Sequence, residues 1–368
     1  MANRYGNNIT VSVYGGSHDP EIGVRLAGFP AGLAVDQARL RRFLARRAPG
    51  QNALTTPRKE ADEPIFLSGL DAAGVTDGKE IHAVIRNADA HSSDYSFVYD
   101  TPRPGHADYA ALKKYGNGVD LRGGGRFSGR LTAPLCVAGG LALQYLAARG
   151  VAVGAHIAAI ADVEDARFAA DIDAATLNAL VEMPFPLLDT SKEAAMRERI
   201  LTAKSESDSV GGVIECAVTG LPAGLGEHMF DGVESRVAAL AFSVPAVKGV
   251  DFGAGFAAAA MRGSENNDAY YTDGKKIYTK TNNCGGILGG MTNGMPLVFR
   301  AAFKPTPSIS REQNTVSLSR MENTTLKIAG RHDPCVVVRA VPVIEAVAAL
   351  AVLDLMLDPR TKEGEHHV

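Results

Sequence analysis

Two histidines sit where proton transfer is plausible chemistry. His18 lies in GGSHDP beside Ser17 and Asp19, and His106 lies in RPGHAD between Arg103 and Asp108, each among Gly or Pro turns. An imidazole titrates near neutral pH, so either ring can act as a general acid toward a leaving phosphate or a cofactor anion. His91 in AHSSDY and His332 in GRHDPC are weaker candidates, because a loop histidine more often serves only the fold; His366 and His367 read as a tail. Around His106, residues 103–130 are dense in anion-binding groups. Arg122, Arg126 and Arg130 supply planar bidentate donors for carboxylate or phosphate, and Gly123, Gly124 and Gly125 remove side chains so that backbone amides can approach a ligand. Ser128 lies in the same segment. A second basic cluster, Arg39, Arg41, Arg42, Arg46, Arg47, Arg58 and Lys59, contains no acid and reads as a local anion-attracting surface. For Arg39, Arg41 and Arg42 a solvated helix face fits equally well, whereas Arg47 stands at a helix end before APGQ, where a rigid turn can aim it inward. Farther on, FKPTPSISR (303–311) offers Lys304, Thr306 and Ser308 on a Pro-stiffened loop, a phosphate grip. GRHDPC adds Arg331 and Asp333, although Asp333-Pro334 also reads as plain turn initiation.

These groups need a frame to hold them. Asp36 is placed to cap a helix whose Leu40, Phe43 and Leu44 recur at three and four residues, and Pro49-Gly50 stops it. Further helices are predicted over 133–148, 191–203, 231–242 and 343–357, and strands over ITVSVY (9–14), GVIECAV (212–218) and CVVVRAV (335–341). Strands and helices mix without strict alternation, which favours an α+β fold over a doubly wound sheet. Three echoes recur in order: GFPAGL (28–33) with GLPAGL (220–225), GVTDGKEIHAVIR (74–86) with GMTNGMPLVFRAA (290–302), and GRFSGRLTAP (125–134) with GRHDPCVVVRAVP (330–342). They suggest a duplicated unit. At ~150 residues per domain, 368 residues are about two domains' worth. The expectation is one catalytic domain over 1–368, with related halves at about 5–160 and 205–357, a linker near 165–205, and the site where the halves meet.

Composition narrows the function. Lys plus Arg (38) against Asp plus Glu (41) leaves −3, which argues against a polyanion-coating protein, and 6% aromatic residues with no Trp disfavour a nucleic-acid stacking platform. Cys136, Cys216, Cys284 and Cys335 show no metal or disulfide spacing, so no metal is expected and a reducing compartment fits. The N-terminus lacks a signal-peptide pattern, and the most apolar stretch, 340–357, carries Pro342, Glu345 and Asp354, unlike a membrane span; the expected location is the cytoplasm. Walker, GxSxG, HExxH and GxGxxG patterns are absent. What remains is an enzyme acting on a small polyanion.

In order along the chain, GGSHDPEIGVRLAGFPAGL, RRAPGQNALTTPRKEADEPIFLSG, RPGHADYAALKKYG, RGGGRFSGRLTAP, GGVIECAVTGLPAGLGEHMFD, AVKGVDFGAGF, GGILGGMTNG, KPTPSI and GRHDPCVVVRAVP resemble the motifs of the chorismate synthase family, over about residues 5–357. The resemblance implies a β-α-β sandwich assembled as a homotetramer. It also implies conversion of 5-enolpyruvylshikimate 3-phosphate to chorismate and phosphate, an anti-1,4-elimination that uses reduced FMN with no net redox change. By motif, His18 protonates the departing phosphate, His106 protonates the reduced flavin, and Ser17 and Asp333 form a proton relay. Arg47, Arg103, Arg130 and Arg331 take the substrate or NADP anions. The flavin contacts map to Arg126, Phe127, Ser128, Pro245, Ala246, Gly289, Lys304, Pro305, Thr306, Pro307, Ser308 and Arg331. The resemblance leaves open whether the chain reduces its own FMN with NADPH or relies on a separate flavin reductase.

Several positions depart from the family pattern. Gly16 stands where a Glu is usual, Phe127 where a hydroxyl is usual, Leu131 where another Glu is usual, and Ala53 where many members carry a basic residue. They motivate an alternative: a non-catalytic flavin- or anion-binding homologue that kept the pocket and lost the chemistry.

Overall fold

The computed structural model describes residues 3–50, 54, 60, 62–87, 97–328 and 332–360. Among them the first half of the chain forms β1 (Arg4–Tyr5), β2 (Thr10–Gly15), β3 (Glu21–Ala27), α1 (Gln37–Arg47), β4 (Ile65–Ser68), β5 (Ile81–Arg86), α2 (Asp108–Tyr115) and α3 (Thr132–Ala147). There follow β6 (Ala152–Ile160), β7 (Val163–Glu164), α4 (Ala174–Val181), α5 (Glu193–Ser205), β8 (Gly212–Thr219), α6 (Val233–Ala241) and β9 (Val247–Phe252). The remainder comprises α7 (Gly263–Asn266), β10 (Tyr270–Thr272), β11 (Ile277–Thr279), β12 (Ile287–Leu288), β13 (Met291–Thr292), β14 (Leu297–Phe303), β15 (Glu312–Ser317), β16 (Glu322–Lys327) and α8 (Val337–Met356).

Local chemistry accounts for α1 as expected. The Asp36 carboxylate accepts from the Arg39 N–H at 2.8 Å, Leu40, Phe43 and Leu44 are buried, and Arg46 and Arg47 occupy the last turn, where the helix dipole favours cations. Two antiparallel sheets, ordered β1-β2-β3-β5-β4 and β7-β6-β8-β14-β9, enclose a helical layer. Within that layer α3 packs on the first sheet, α8 on the second, and the two helices pack on each other. This is an α+β fold built as a β-α-β sandwich, as the sequence predicts.

One predicted strand is a helix instead. The run 335–341 is β-branched, yet α8 starts at Val337 and continues past Pro342 to Met356. Nearly every residue of α8 is buried, its Glu345 and Asp354 paired with Arg46 and Arg236, and this burial between layers outweighs the modest β preference of valine. The close approach of α3 and α8 depends on Gly139: a Cβ there would lie 2.2 Å from the Cβ and 2.6 Å from the Cα of Ala346.

The two sheets share one connectivity. The order β2, β3, α1, β4, β5, α3 recurs as β6, β8, α6, β9, β14, α8, with matching places in the sheets. The sequence echoes mark the same joints. Thr76 Oγ1 accepts from Leu33 N (2.9 Å) and donates to Pro30 O (2.8 Å), while Thr292 Oγ1 accepts from Leu225 N (2.9 Å) and donates to Pro222 O (2.7 Å). Gly32 N and Gly224 N bond to the carbonyls of the same two threonines. Two expectations shift. Strand β6 pairs with β8 and so belongs to the second sheet, not to a first half ending at 160. Residues 165–205 are not a linker: α4 covers β6, and its Leu177 and Leu180 pack with Ala217 and Val298.

That covering segment is held by a buried histidine. His156 on β6 is fully buried, with Nδ1 2.9 Å from Asp165 Oδ2 and Nε2 3.0 Å from Glu215 Oε2. Asp165 also accepts from Leu188 N and Asp189 N, and Glu215 accepts from Phe168 N. Burial alone lowers the His156 pKa, but hydrogen bonds to the two acids outweigh it and raise it above 6.5.

Two outcomes are expected. Gly139→Ala should destabilise the fold by about 1–3 kcal/mol in chemical denaturation, although alanine is the better helix former by about 1 kcal/mol. Because the His156 pKa is raised on folding, its contribution is complete below 6.5 and is lost as pH rises through the folded value. A His156→Gln variant should therefore lack the component of the fall in thermal midpoint above pH 6.5 that the parent shows.

Candidate functional site

A cleft of about 470 Å³ opens over the N-terminal ends of α3 and α8. Its walls come from both halves: the turn after β2, the end of α1, the loops around α2, the turns leading into α3, the 244–246 and 303–308 loops, and the start of α8. The site therefore lies where the two sheets' loops meet.

The glycine run makes room for the two histidines. Gly123, Gly124 and Gly125 all have positive φ (56°, 92° and 50°), so a side chain is strained at each. A Cβ at Gly123 would stand 2.2 Å from the His18 ring, and one at Gly124 would stand 3.2 Å from His106 Nε2. Ser17 is buried beside them, its N–H donated to Gly125 O at 3.1 Å. The carboxylate expected at 16 is absent, but Asp19 Oδ2 lies 3.2 Å from where a Gly16 Cβ would be, so Asp19 fills that space.

His106 is oriented by Asp108. The fully buried Asp108 accepts from Arg103 Nε and Nη2 (2.7 Å each) and from the Arg103 backbone N–H (3.0 Å), and its Oδ1 is 2.6 Å from His106 Nδ1. Burial alone would raise the Asp108 pKa, but the hydrogen bonds from Arg103 and His106 hold it well below the carboxylate range. Arg103 Nη2 also stands 3.1 Å from Nδ1, but the shorter contact is to an ionised carboxylate, which only accepts, so Nδ1 of His106 carries a proton and Nε2 is left for the cleft.

The remaining arginines are also paired. Arg47 donates to Asp62, Thr132 and Gly129 O, and Arg130 donates to Asp62 and Asn87. Arg339 of α8 donates to Asp333 Oδ2 at 2.6 Å and to Arg47 O at 3.0 Å. In the same cleft Lys304 Nζ donates to Gly105 O (2.9 Å), burial and Lys248 lower its pKa, and Ser308 Oγ takes Arg103 Nη1 at 3.4 Å. Thr306 Oγ1 is buried without a hydrogen-bond partner among the described residues, as is His332 Nε2, whose ring burial and Arg103 bias toward the neutral form. Phe127, Val244, Pro245, Ala246, Phe303 and Pro307 give the cleft an apolar wall.

Of the predicted site residues, Ser17, His18, Arg47, Arg103, His106, Phe127, Ser128, Arg130, Pro245, Ala246, Lys304, Thr306, Pro307, Ser308 and Asp333 line this cleft. Three do not. Arg126 is exposed, its guanidinium 5.5 Å over the Tyr115 ring; Pro305 faces solvent; and Gly289 is exposed in the β12–β13 turn. Arg122 pairs with Asp120 outside it. Arg331, Ala53 and His91 lie outside the described residues. The basic cluster splits: Arg39, Arg41 and Arg42 are exposed, Arg46 pairs with Glu345 of α8, and among its described members only Arg47 reaches the cleft, Arg58 and Lys59 lying outside the described residues. Sequence reasoning missed Asp62, Asn87, Thr132 and Arg339. For Asp62 a signal existed, since the acids of EADE follow the basic run directly.

A family model described as chorismate synthase matches residues 9–357. Among curated relatives, a chorismate synthase from Lancefieldella parvula is 43% identical over the whole of both chains. One from Methanocella arvoryzae is 46% identical over 96% of this chain and 94% of its own. A crystal structure titled as a chorismate synthase superposes with a TM-score of 0.75 at 27% identity, covering 96% of this chain and 92% of the other. Fold, family model and relatives agree over nearly the full length, and the chain belongs to the chorismate synthase family.

Proposed function

We propose that this cleft removes phosphate from 5-enolpyruvylshikimate 3-phosphate by an anti-1,4-elimination that yields chorismate, with reduced FMN bound beside the substrate. One observation carries the reading: His18, His106 and four arginines, drawn from both halves, converge on a single cleft. The substrate has two carboxylates and a phosphate, and guanidinium groups suit all three. Arg47, Arg103 and Arg130 bind and orient these anions, joined by Arg331 on motif grounds. His18 gives a proton to the departing phosphate, His106 holds its exchangeable proton at Nε2, and Ser17 and Asp333 relay protons along the cleft floor.

The residues present suit FMN. Phe127, Pro245, Ala246 and Pro307 offer a flat apolar wall, and Lys304 with the Thr306 hydroxyl suits a phosphate. Phe127 replaces a hydroxyl there, so its part is packing. When bound and reduced, FMN supplies transient electron donation that weakens the carbon–oxygen bond. Burial in the cleft excludes water from the reacting atoms. A non-catalytic homologue lacks support, because every proton-handling residue is retained and the relatives at 43% and 46% identity are named chorismate synthase.

The same reading takes the chain as a homotetramer, supported by Met229, Phe230, Phe256, Tyr270 and Leu288, which leave large apolar side chains exposed on the second half. It takes the two halves as copies of one unit, supported by the matching Thr76 and Thr292 networks. It places the chain in the cytoplasm, supported by four free cysteines. No described helix is long and apolar enough to cross a membrane.

Under anaerobic conditions the purified chain with reduced FMN and substrate should release phosphate and chorismate; no turnover would remove the reading. The assay repeated with NADPH and oxidised FMN separates a chain that reduces its own flavin from one served by a separate reductase. His106→Ala and Asp333→Ala should each lower kcat by about 10²–10⁴-fold with little change in substrate affinity, and wild-type turnover in either variant would cancel that residue's assignment. Sedimentation should give four times the 38.6 kDa chain mass.

A further inference from the structure

Arg47 and Arg130 share one buried carboxylate. Arg47 Nη1 donates to Asp62 Oδ2 at 2.6 Å, and Arg130 Nη1 donates to Asp62 Oδ1. All three residues are almost fully buried, at 3%, 6% and 2% exposure for Arg47, Arg130 and Asp62. Both arginines line the cleft and Asp62 does not, so the carboxylate stands behind them. Other donors of the two arginines are fixed from the protein side. Arg47 Nε goes to Thr132 Oγ1 at 3.1 Å and Nη2 to Gly129 O at 2.9 Å, while Arg130 Nε goes to Asn87 Oδ1 at 2.9 Å. Arg130 Nη2 is different. It is buried without a hydrogen-bond partner among the described residues, and Glu60 Oε2, the acid it faces, is 3.7 Å away.

Two guanidiniums held this close in a low-dielectric wall repel each other, and the anion between them is what makes the arrangement tolerable. Asp62 reaches its place at a cost. Its φ is +50°, in the left-handed region that a residue with a Cβ adopts only when its surroundings hold it there. Burial alone would raise its pKa, but Arg47 and Arg130 hold it below the ordinary carboxylate value, so it is present as the anion.

We propose that Asp62 is a positioning residue for the substrate: a resident counter-ion that sets the spacing of Arg47 and Arg130 and holds both guanidiniums at the cleft wall for the incoming anionic group. The inference rests on the reading above, in which these arginines take the substrate anions. Each Asp62 oxygen serves one arginine, so it acts only through them. Removing it lets the two cations splay, which weakens binding of the ground and transition states alike and shows in KM far more than in kcat.

The test uses the full chain with reduced FMN under anaerobic conditions. Asp62→Ala should raise KM by about tenfold or more, as expected for losing an aligned charged hydrogen bond, with kcat within about threefold of the parent. Acetate, a carboxylate small enough to enter the vacated space, should recover part of the KM and of the thermal midpoint, whereas chloride at equal ionic strength should not. If Asp62→Ala does not fold, Asp62→Glu keeps the charge but displaces it by one methylene, and its KM should rise as well. A KM within about twofold of the parent in the folded variants, or equal recovery in acetate and chloride, would overturn the inference. An inactive parent would instead overturn the reading on which it rests.

Discussion

Helices α3 and α8 meet at Gly139 with no side chain between them and the backbone of Ala346, and that contact sets the thickness of the helical layer on which both sheets rest. It also brings the N-terminal ends of the two helices side by side. Thr132 at the start of α3 holds Arg47, and Arg339 in the first turns of α8 reaches the Arg47 carbonyl and Asp333. The Arg46–Glu345 ion pair, bidentate at 2.5 and 2.9 Å, ties α1 to α8 from the other side. The position of the basic wall is thus inherited from how closely two helices approach.

A second constraint operates within that wall. Four described arginines face four carboxylates: Arg103 with Asp108, Arg47 and Arg130 with Asp62 and Glu60, and Arg339 with Asp333. Isolated cations at this depth would carry a large desolvation penalty, and pairing offsets it. Pairing also fixes direction. Asp108 shows the double use most plainly, since one carboxylate anchors an arginine and sets which nitrogen of His106 faces the cleft.

Much of the fold and of the site is legible in the sequence. The Asp36 cap, the strands at 9–14 and 212–218, and the joints marked by GFPAGL and GLPAGL all depend on local rules, and they stand where those rules put them. Motif order points to His18, His106, Arg47, Arg103, Arg130 and Asp333, and all six line one cleft. Misreadings occur where long-range packing decides. Valines 336–338 look like a strand until α8 is seen buried on every side, and residues 165–205 look like a linker until His156 is seen pinning them to β6. Partners such as Asn87 and Arg339 leave no trace in the sequence pattern of Arg47 and Arg130, because their distances to these arginines exist only once the halves close. Gly289 and Arg126 carry flavin roles by motif, yet both lie on the surface of the single chain.

The prepaired arginines have a kinetic consequence. An ion pair looks nearly neutral from a distance greater than its own length, so these four arginines, set against Asp108, Asp62, Glu60 and Asp333, project little field into solvent, and the whole chain at −3 adds no attraction for an anion. Those pairs add little to the long-range attraction of a trianionic ligand, so selectivity among anions resides more in how long each one stays than in how fast it arrives.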